Sequence, residues 1–153
     1  YTGEFLDDIR LGAELHDIGK IGTRESVLNK PGPLTPDEFR HITEHTVLGE
    51  RILAPLARDR PVVLRIARSH HERLDGTGFP DGLAGNAIPV EARIVAVVDA
   101  FDAMTTNRAY RESFEPGSAF DELRRCAGLQ FEPTIVDAFR TAFPDPARLP
   151  IHA

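Results

Sequence analysis

Apolar residues recur at helical spacing through most of the chain, and two Gly- and Pro-rich stretches interrupt them. Between residues 4 and 17, Phe5, Leu6, Ile9, Ala13 and Leu15 mark one face of a helix that stops at Gly19. Residues 21–34 carry Gly and Pro and predict a loop. Thr35-Pro36-Asp37-Glu38 then reads as a capping box, with Thr35 as N-cap, Pro36 at the first helical position and Glu38 at the third. The helix it opens is expected to run to about Leu53, and a third helix is predicted over 61–72. Residues 73–89 hold four Gly and two Pro and predict a second loop.

The helix expected over 90–106 is apolar on almost every side, with Ala92, Ile94, Val95, Val97, Val98, Ala100, Phe101 and Met104, so it is expected to be buried. Its Val-rich part also suits a strand, but its length and flanks favour a helix. Two amphipathic helices follow, over 116–127 and 133–143. There is no internal repeat. The pattern predicts an all-α, single-domain helical bundle over 1–146, with 147–153 as a tail or linker.

Composition narrows the function classes. The chain has 153 residues, 41% apolar and 27% charged, which suits one domain with a core of its own. A net charge of -6 argues against a nucleic-acid polymer as partner. Cys126 is the only cysteine, so there is no disulfide framework, and a reducing cytoplasm is the simplest setting. No apolar run reaches the ~18 residues of a membrane-spanning helix. The amphipathic pattern starts almost at Tyr1, as expected of a piece of a longer protein. Sixteen of the eighteen basic residues are Arg, and the two Lys are Lys20 and Lys30.

Candidate chemistry starts at His16-Asp17-Ile18-Gly19-Lys20. Imidazole nitrogen and carboxylate oxygen both bind borderline divalent metals. An ammonium three residues on could meet the anionic oxygens of a substrate held there. Asp99 supports this dyad, because an ionised carboxylate inside an apolar helix is costly unless paired or cation-bound. A buried salt bridge to an Arg is the plainer reading.

His70-His71, with Glu72 next, ends the third helix. The pair is either cationic and stabilised by the helix dipole, or neutral and a ligand pair. His45 is mid-helix, where a single histidine is ordinarily a core or surface residue; Gly49 one turn on hints at close packing. His41 is expected to face solvent. The glycines of Asp75-Gly76-Thr77-Gly78-Phe79-Pro80-Asp81-Gly82-Leu83 follow no strand and precede no GKS or GKT, so neither a P-loop nor a dinucleotide fold is supported. Phe79 could be a packing anchor. Arg108 and Arg111, flanking Tyr110, form either a phosphodiester clamp or surface salt bridges.

Together these segments resemble the HD-GYP family, a branch of the HD phosphohydrolase superfamily. The match runs from about 11 to 143. His16 to Gly22 is similar to HDIGKIG, Lys30 to Thr35 to KPGxLT, and His45 to Gly49 to HxxxG. His70 to Pro80 is similar to HHExxDGxGYP. Val98 to Thr105, followed by Arg108, Tyr110 and Arg111, resembles DxxDALT with its RxYR extension.

The resemblance implies hydrolysis of cyclic di-GMP, a bacterial second messenger, to a linear dinucleotide or GMP. It implies that His16, Asp17, His45, His70, His71 and Asp99 hold two or three metal ions, iron or manganese, with Asp17 bridging. Lys20 would neutralise phosphate charge or assist the leaving oxygen. Arg108, Arg111, Tyr110 and Gly78 would contact substrate. Cyclase domains docking at Gly78-Phe79-Pro80, and an upstream regulatory domain, are implied partners.

Two departures stand out: Phe79 replaces the motif's tyrosine, and no histidine precedes His16, where the family has a further ligand. The second departure leaves room for a non-catalytic sensing or cyclase-docking module. A hydrolase for another cyclic nucleotide is a third reading.

Overall fold

The computed structural model describes residues 1–106 and 113–144. Eight α-helices are present among them: α1 (Gly3–Leu15), α2 (Glu25–Leu28), α3 (Pro36–Thr43), α4 (His45–Leu53), α5 (Pro61–Ser69), α6 (Val90–Thr105), α7 (Pro116–Arg125) and α8 (Pro133–Ala142). Short 3-10 helices occupy Ile18–Gly22 and Gly85–Ala87. Among the described residues the β structure is limited to two isolated bridges, so the all-α reading holds.

Local chemistry accounts for the helix starts. Proline occupies the first helical position of α3, α5, α7 and α8, where its missing N–H is no loss. The capping box at Thr35 and Glu38 is formed, and Lys30 closes it from the loop by donating to Glu38 Oε2 at 2.6 Å. α5 lies between α1, α4 and α6, while α6 also contacts α7 and α8. Apolar clusters follow from this. Val62, Ile66 and Val95 pack with Phe5, Ile9 and Ala13 of α1, while Val97, Phe101, Phe120, Leu123 and Val136 unite α6, α7 and α8.

Four expectations change. α2 lies inside the stretch predicted as loop; its four residues are too few to show a helical period. The helix predicted from Thr35 to about Leu53 is two helices that meet at Glu44. There Thr43 and Thr46 hydroxyls donate to the carbonyls of Arg40 and Thr43, at 2.8 and 3.0 Å, competing with the regular helix ladder. α6 is not buried on every side: Val98 is 44% exposed. Finally, His41 is half-buried, and its Nε2 accepts the Arg24 N–H at 3.1 Å at the start of α2. Arg108, Tyr110, Arg111 and the 147–153 tail lie outside the described residues.

Candidate metal centre

His16 caps the C-terminus of α1, and Asp17 begins the 3-10 turn that follows. That turn lies directly on α4. A Cβ on Gly19 would stand 1.9 Å from the His45 carbonyl oxygen and 2.6 Å from the Gly49 nitrogen. The close packing suggested by Gly49 is therefore real, but Gly19 is the residue with no room: a Cβ on Gly49 would make only ordinary contacts, from 3.5 Å. This contact carries Asp17 to His45, with Oδ1 at 3.3 Å from His45 Nε2 and 3.7 Å from His70 Nε2.

Backbone carbonyls set the state of three imidazoles. His16 Nδ1 faces Ala13 O at 2.6 Å, and His45 Nδ1 faces Ile42 O at 2.6 Å. His70 Nδ1 faces Ile66 O and Ala67 O at 3.0 and 3.2 Å. A carbonyl only accepts, so each Nδ1 carries a proton and each neutral ring presents a bare Nε2. The Nε2 atoms of His45 and His70 face each other at 3.4 Å. His71 joins them, its ring centroid 4.1 Å from that of His70. Asp17, His45, His70 and His71 each offer one ligand atom, all within 4.8 Å of one another.

On the other side of Asp17, His16 Nε2 lies 3.4 Å from Asp17 Oδ2 and 3.6 Å from Asp99 Oδ1. Asp99 thus faces a histidine; no Arg pairs with it among the described residues. Lys20 Nζ donates to Asp17 Oδ2.

The donor set fits a divalent cation. Two donors about 2.1 Å from one ion, at angles of 90–110°, stand about 3.0–3.4 Å apart. The Asp17–His45 and His45–His70 separations of 3.3 and 3.4 Å fall in that range. His16 Nε2 and Asp17 Oδ1 are buried without a hydrogen-bond partner, a cost that a bound cation removes.

Protonation favours the same reading. Burial, with the neighbouring His70 and His45, pushes His71 down to about 3, so it is neutral near pH 7. Of the two readings of the pair, this matches the neutral one for His71. Burial opposes ionisation of Asp17, but contacts to His16, His45, His70 and Lys20 outweigh it and hold the carboxyl far below its usual range. Asp99 is likewise lowered, because His16 outweighs burial. Burial also disfavours a charge on His16, but Asp17, Asp99 and the Ala13 carbonyl push it up to about 10. A cation entering there displaces that proton.

The Gly-rich loop closes the site from above. A Cβ on Gly78 would stand 2.4 Å from Arg73 N and 2.6 Å from His71 O, so the loop folds tightly over the end of α5. The Phe79 N–H donates to His71 O at 3.3 Å, and its ring sits 4.8 Å from the His71 ring. Phe79 is a packing anchor against the centre.

Glu72, unassigned from sequence, organises this loop. It is 4% exposed and accepts the Asp81 and Leu83 N–H groups at 2.7 and 2.9 Å. Its signal was an acidic residue just before a loop with many backbone donors. A cavity of about 330 Å3 opens beside His70, His71 and Asp99.

Known proteins resemble this chain. The family model described as HD domain matches residues 2–135. A cyclic di-GMP phosphodiesterase of Thermotoga maritima is 44% identical over 139 residues, 88% of this chain and 37% of that protein. The cyclic di-GMP phosphodiesterase response regulator RpfG of Xanthomonas campestris is 47% identical over 131 residues, 85% of this chain and 35% of that protein. The chain therefore spans little more than a third of the length of these relatives. A crystal structure of a cyclic GMP-AMP specific phosphodiesterase of Vibrio cholerae superposes with a TM-score of 0.73 at 20% identity, over 96% of this chain and 40% of that one, which supports the helical fold. The chain belongs to the HD domain family, in the HD-GYP branch that its motifs resemble.

Proposed function

We propose that this chain carries the metal site of a phosphodiesterase that hydrolyses cyclic di-GMP to a linear dinucleotide or GMP. The observation that carries the reading is the convergence of four imidazoles and two carboxylates around two unpartnered buried atoms, His16 Nε2 and Asp17 Oδ1. The names of the Thermotoga and Xanthomonas relatives support the substrate.

Asp17 would be a ligand shared by two ions, a reading supported by Oδ1 facing His45 and His70 while Oδ2 faces His16. His45, His70 and His71 would hold one ion, and His16 with Asp99 the other. Mixed imidazole and carboxylate donors suit iron or manganese. When bound, such ions supply Lewis acidity to the phosphodiester and make water a usable nucleophile near neutral pH.

The chain's own groups do the rest. In hydrolysis a P–O bond forms to water, the P–O bond to ribose breaks, and the departing ribose oxygen takes a proton. Lys20 Nζ, already beside Asp17, can hold that proton or offset phosphate charge. Motif order supports Arg108, Arg111 and Tyr110 as contacts to the second phosphate or a nucleoside. The response-regulator name of one relative supports a regulatory input outside these residues.

The test is turnover of cyclic di-GMP by the intact protein loaded with manganese or anaerobically with iron, with products separated by chromatography. A panel including cyclic GMP-AMP and cyclic di-AMP runs alongside. Release of linear dinucleotide or GMP is expected. Tightly bound metal with no turnover of any cyclic dinucleotide would sink the hydrolase reading.

A further inference from the structure

The cavity beside the histidine cluster is a compartment of its own. At about 330 Å3 it sits at the lower end of small-ligand pockets, room for one nucleobase and not for a dinucleotide. Its reactive side is formed by His70 and Asp99, and its apolar walls by Ala96, Ala100, Phe79 and Phe131. Flat apolar walls beside a phosphodiester-cleaving centre suit a purine attached to the phosphate being cleaved. The polar residues Glu72, Arg73 and Gln130 also line it, and both Glu72 oxygens are taken by the Asp81 and Leu83 N–H groups.

Arg73 is already committed. Its guanidinium donates to Asp75 at 3.0 and 3.3 Å, to Thr77 Oγ1 at 2.9 Å and to Gln130 Oε1 at 2.7 Å. The last contact fixes the orientation of Gln130. A guanidinium has donors only, so the carboxamide oxygen faces Arg73 and the NH2 group faces away. The Gln130 backbone is also held, its carbonyl accepting the Leu74 N–H at 3.2 Å. Among the described residues the Gln130 amide nitrogen has no hydrogen-bond partner. A half-buried residue that lines the cavity thus keeps an oriented amide donor not taken by another protein group.

From this arrangement we propose that Gln130 is a specificity residue, whose amide N–H reads the acceptor edge of one guanine base seated in the cavity. The inference rests on the cyclic dinucleotide hydrolase reading above. Guanine presents two acceptors, O6 and N7, along one edge, whereas adenine replaces O6 with an N6 amino donor. A fixed N–H donor favours guanine there. Arg73 is the positioning residue: it touches no base but holds Gln130 in the reading orientation.

The discriminating variant is Gln130→Glu. It keeps an oxygen for Arg73 and replaces the amide donor with an acceptor. The kcat/KM ratio of cyclic di-GMP over cyclic di-AMP should fall by about tenfold in the metal-loaded intact protein. Metal content should be unchanged. Gln130→Leu, which removes both groups, should also reduce the ratio and covers the case in which the glutamate variant fails to fold.

A ratio within twofold of wild type in a folded, metal-replete variant would overturn the assignment, as would equal losses on both substrates. Should the wild-type protein turn over neither nucleotide, the hydrolase reading fails, and the ratio is read from calorimetric Kd values on the manganese-loaded protein. A guanine preference lost on Gln130→Glu would then still support the base subsite. Binding of neither nucleotide would overturn both.

Discussion

Glu72, next in sequence to His71, and Asp17, in the histidine cluster, are two carboxylates finished in opposite ways. Glu72 has each oxygen taken by a backbone N–H, from Asp81 and Leu83. Buried Glu91 is similarly matched, accepting from Arg65 at 2.5 Å. Asp17 has Lys20 on one oxygen, while the other lies 3.3 and 3.7 Å from His45 and His70 Nε2, buried and without a hydrogen-bond partner. Buried acceptors are almost always satisfied, since leaving one open costs about 1–3 kcal/mol. The fold meets that requirement at Glu72 and Glu91. It leaves Asp17 and His16 short, and tolerates this where a cation can supply the missing interaction. One carboxylate holds a loop, and the other is left for a cation to meet.

Removing the under-satisfied carboxylate should have the largest effect. Asp17→Ala is expected to abolish metal retention and hydrolysis together, beyond the 10–100-fold that loss of an outer-sphere partner costs. Elemental analysis and turnover assays check it. Retained activity would remove Asp17 from the bridging role and end the contrast with Glu72.

The satisfied carboxylate should fail differently. Glu72→Ala strands two N–H groups and is expected to cost about 2–4 kcal/mol of stability. Denaturant unfolding reads that loss. The same protein should still bind metal through the unchanged ligands at low temperature. Loss of metal with no loss of stability would show that Glu72 belongs to the centre.

A pH series sharpens the comparison further. In the metal-free protein His16 is pushed up to about 10 from its ordinary 6.5. Its contribution is full below pH 6.5 and disappears as pH rises towards 10. His71, pushed down to about 3, acts in reverse: its neutral form favours folding above 6.5, and that benefit is lost as pH falls towards 3. Metal competes with the His16 proton, so affinity should increase with pH across 6.5–10. The alkaline loss of stability should then vanish in metal-loaded protein. Unfolding curves with and without manganese across that range decide it; a flat metal-free profile would contradict the His16 assignment.

The smallest effect concerns the ring over His71. Phe79→Tyr keeps the packing surface and adds one hydroxyl, so the hydrolysis rate should change less than about twofold. A large gain in turnover would mean that the hydroxyl contacts substrate.

Particular residues show how far the chain could be read in advance. The helical spacing of Phe5, Ile9 and Ala13 and the Thr35 box are local signals, and the helices they predict are present. The break at Glu44 was hidden because hydroxyls of Thr43 and Thr46 choose between solvent and backbone only after neighbours pack. Val98 looked buried because periodicity reports which residues are apolar, without saying which face finds a partner. At the site, His16, Asp17, His45, His70, His71 and Asp99 were all picked out, through motifs whose order matched a family. Glu72 and Gln130 were not assigned roles, since a Glu or Gln in a loop has no local signature; its meaning lies in the donors that reach it.

The sequence by itself determined the helices, their proline and hydroxyl caps, and the presence of metal-binding side chains in a known order, because each rests on neighbours a few positions away. Only the tertiary structure decided that Gly19 lies on the His45 carbonyl, that the Nε2 atoms of His45 and His70 converge on Asp17, and that Asp17 is left without a partner on one oxygen. Those facts depend on contacts between segments tens of residues apart, where burial and the lone-pair geometry of converging groups act together.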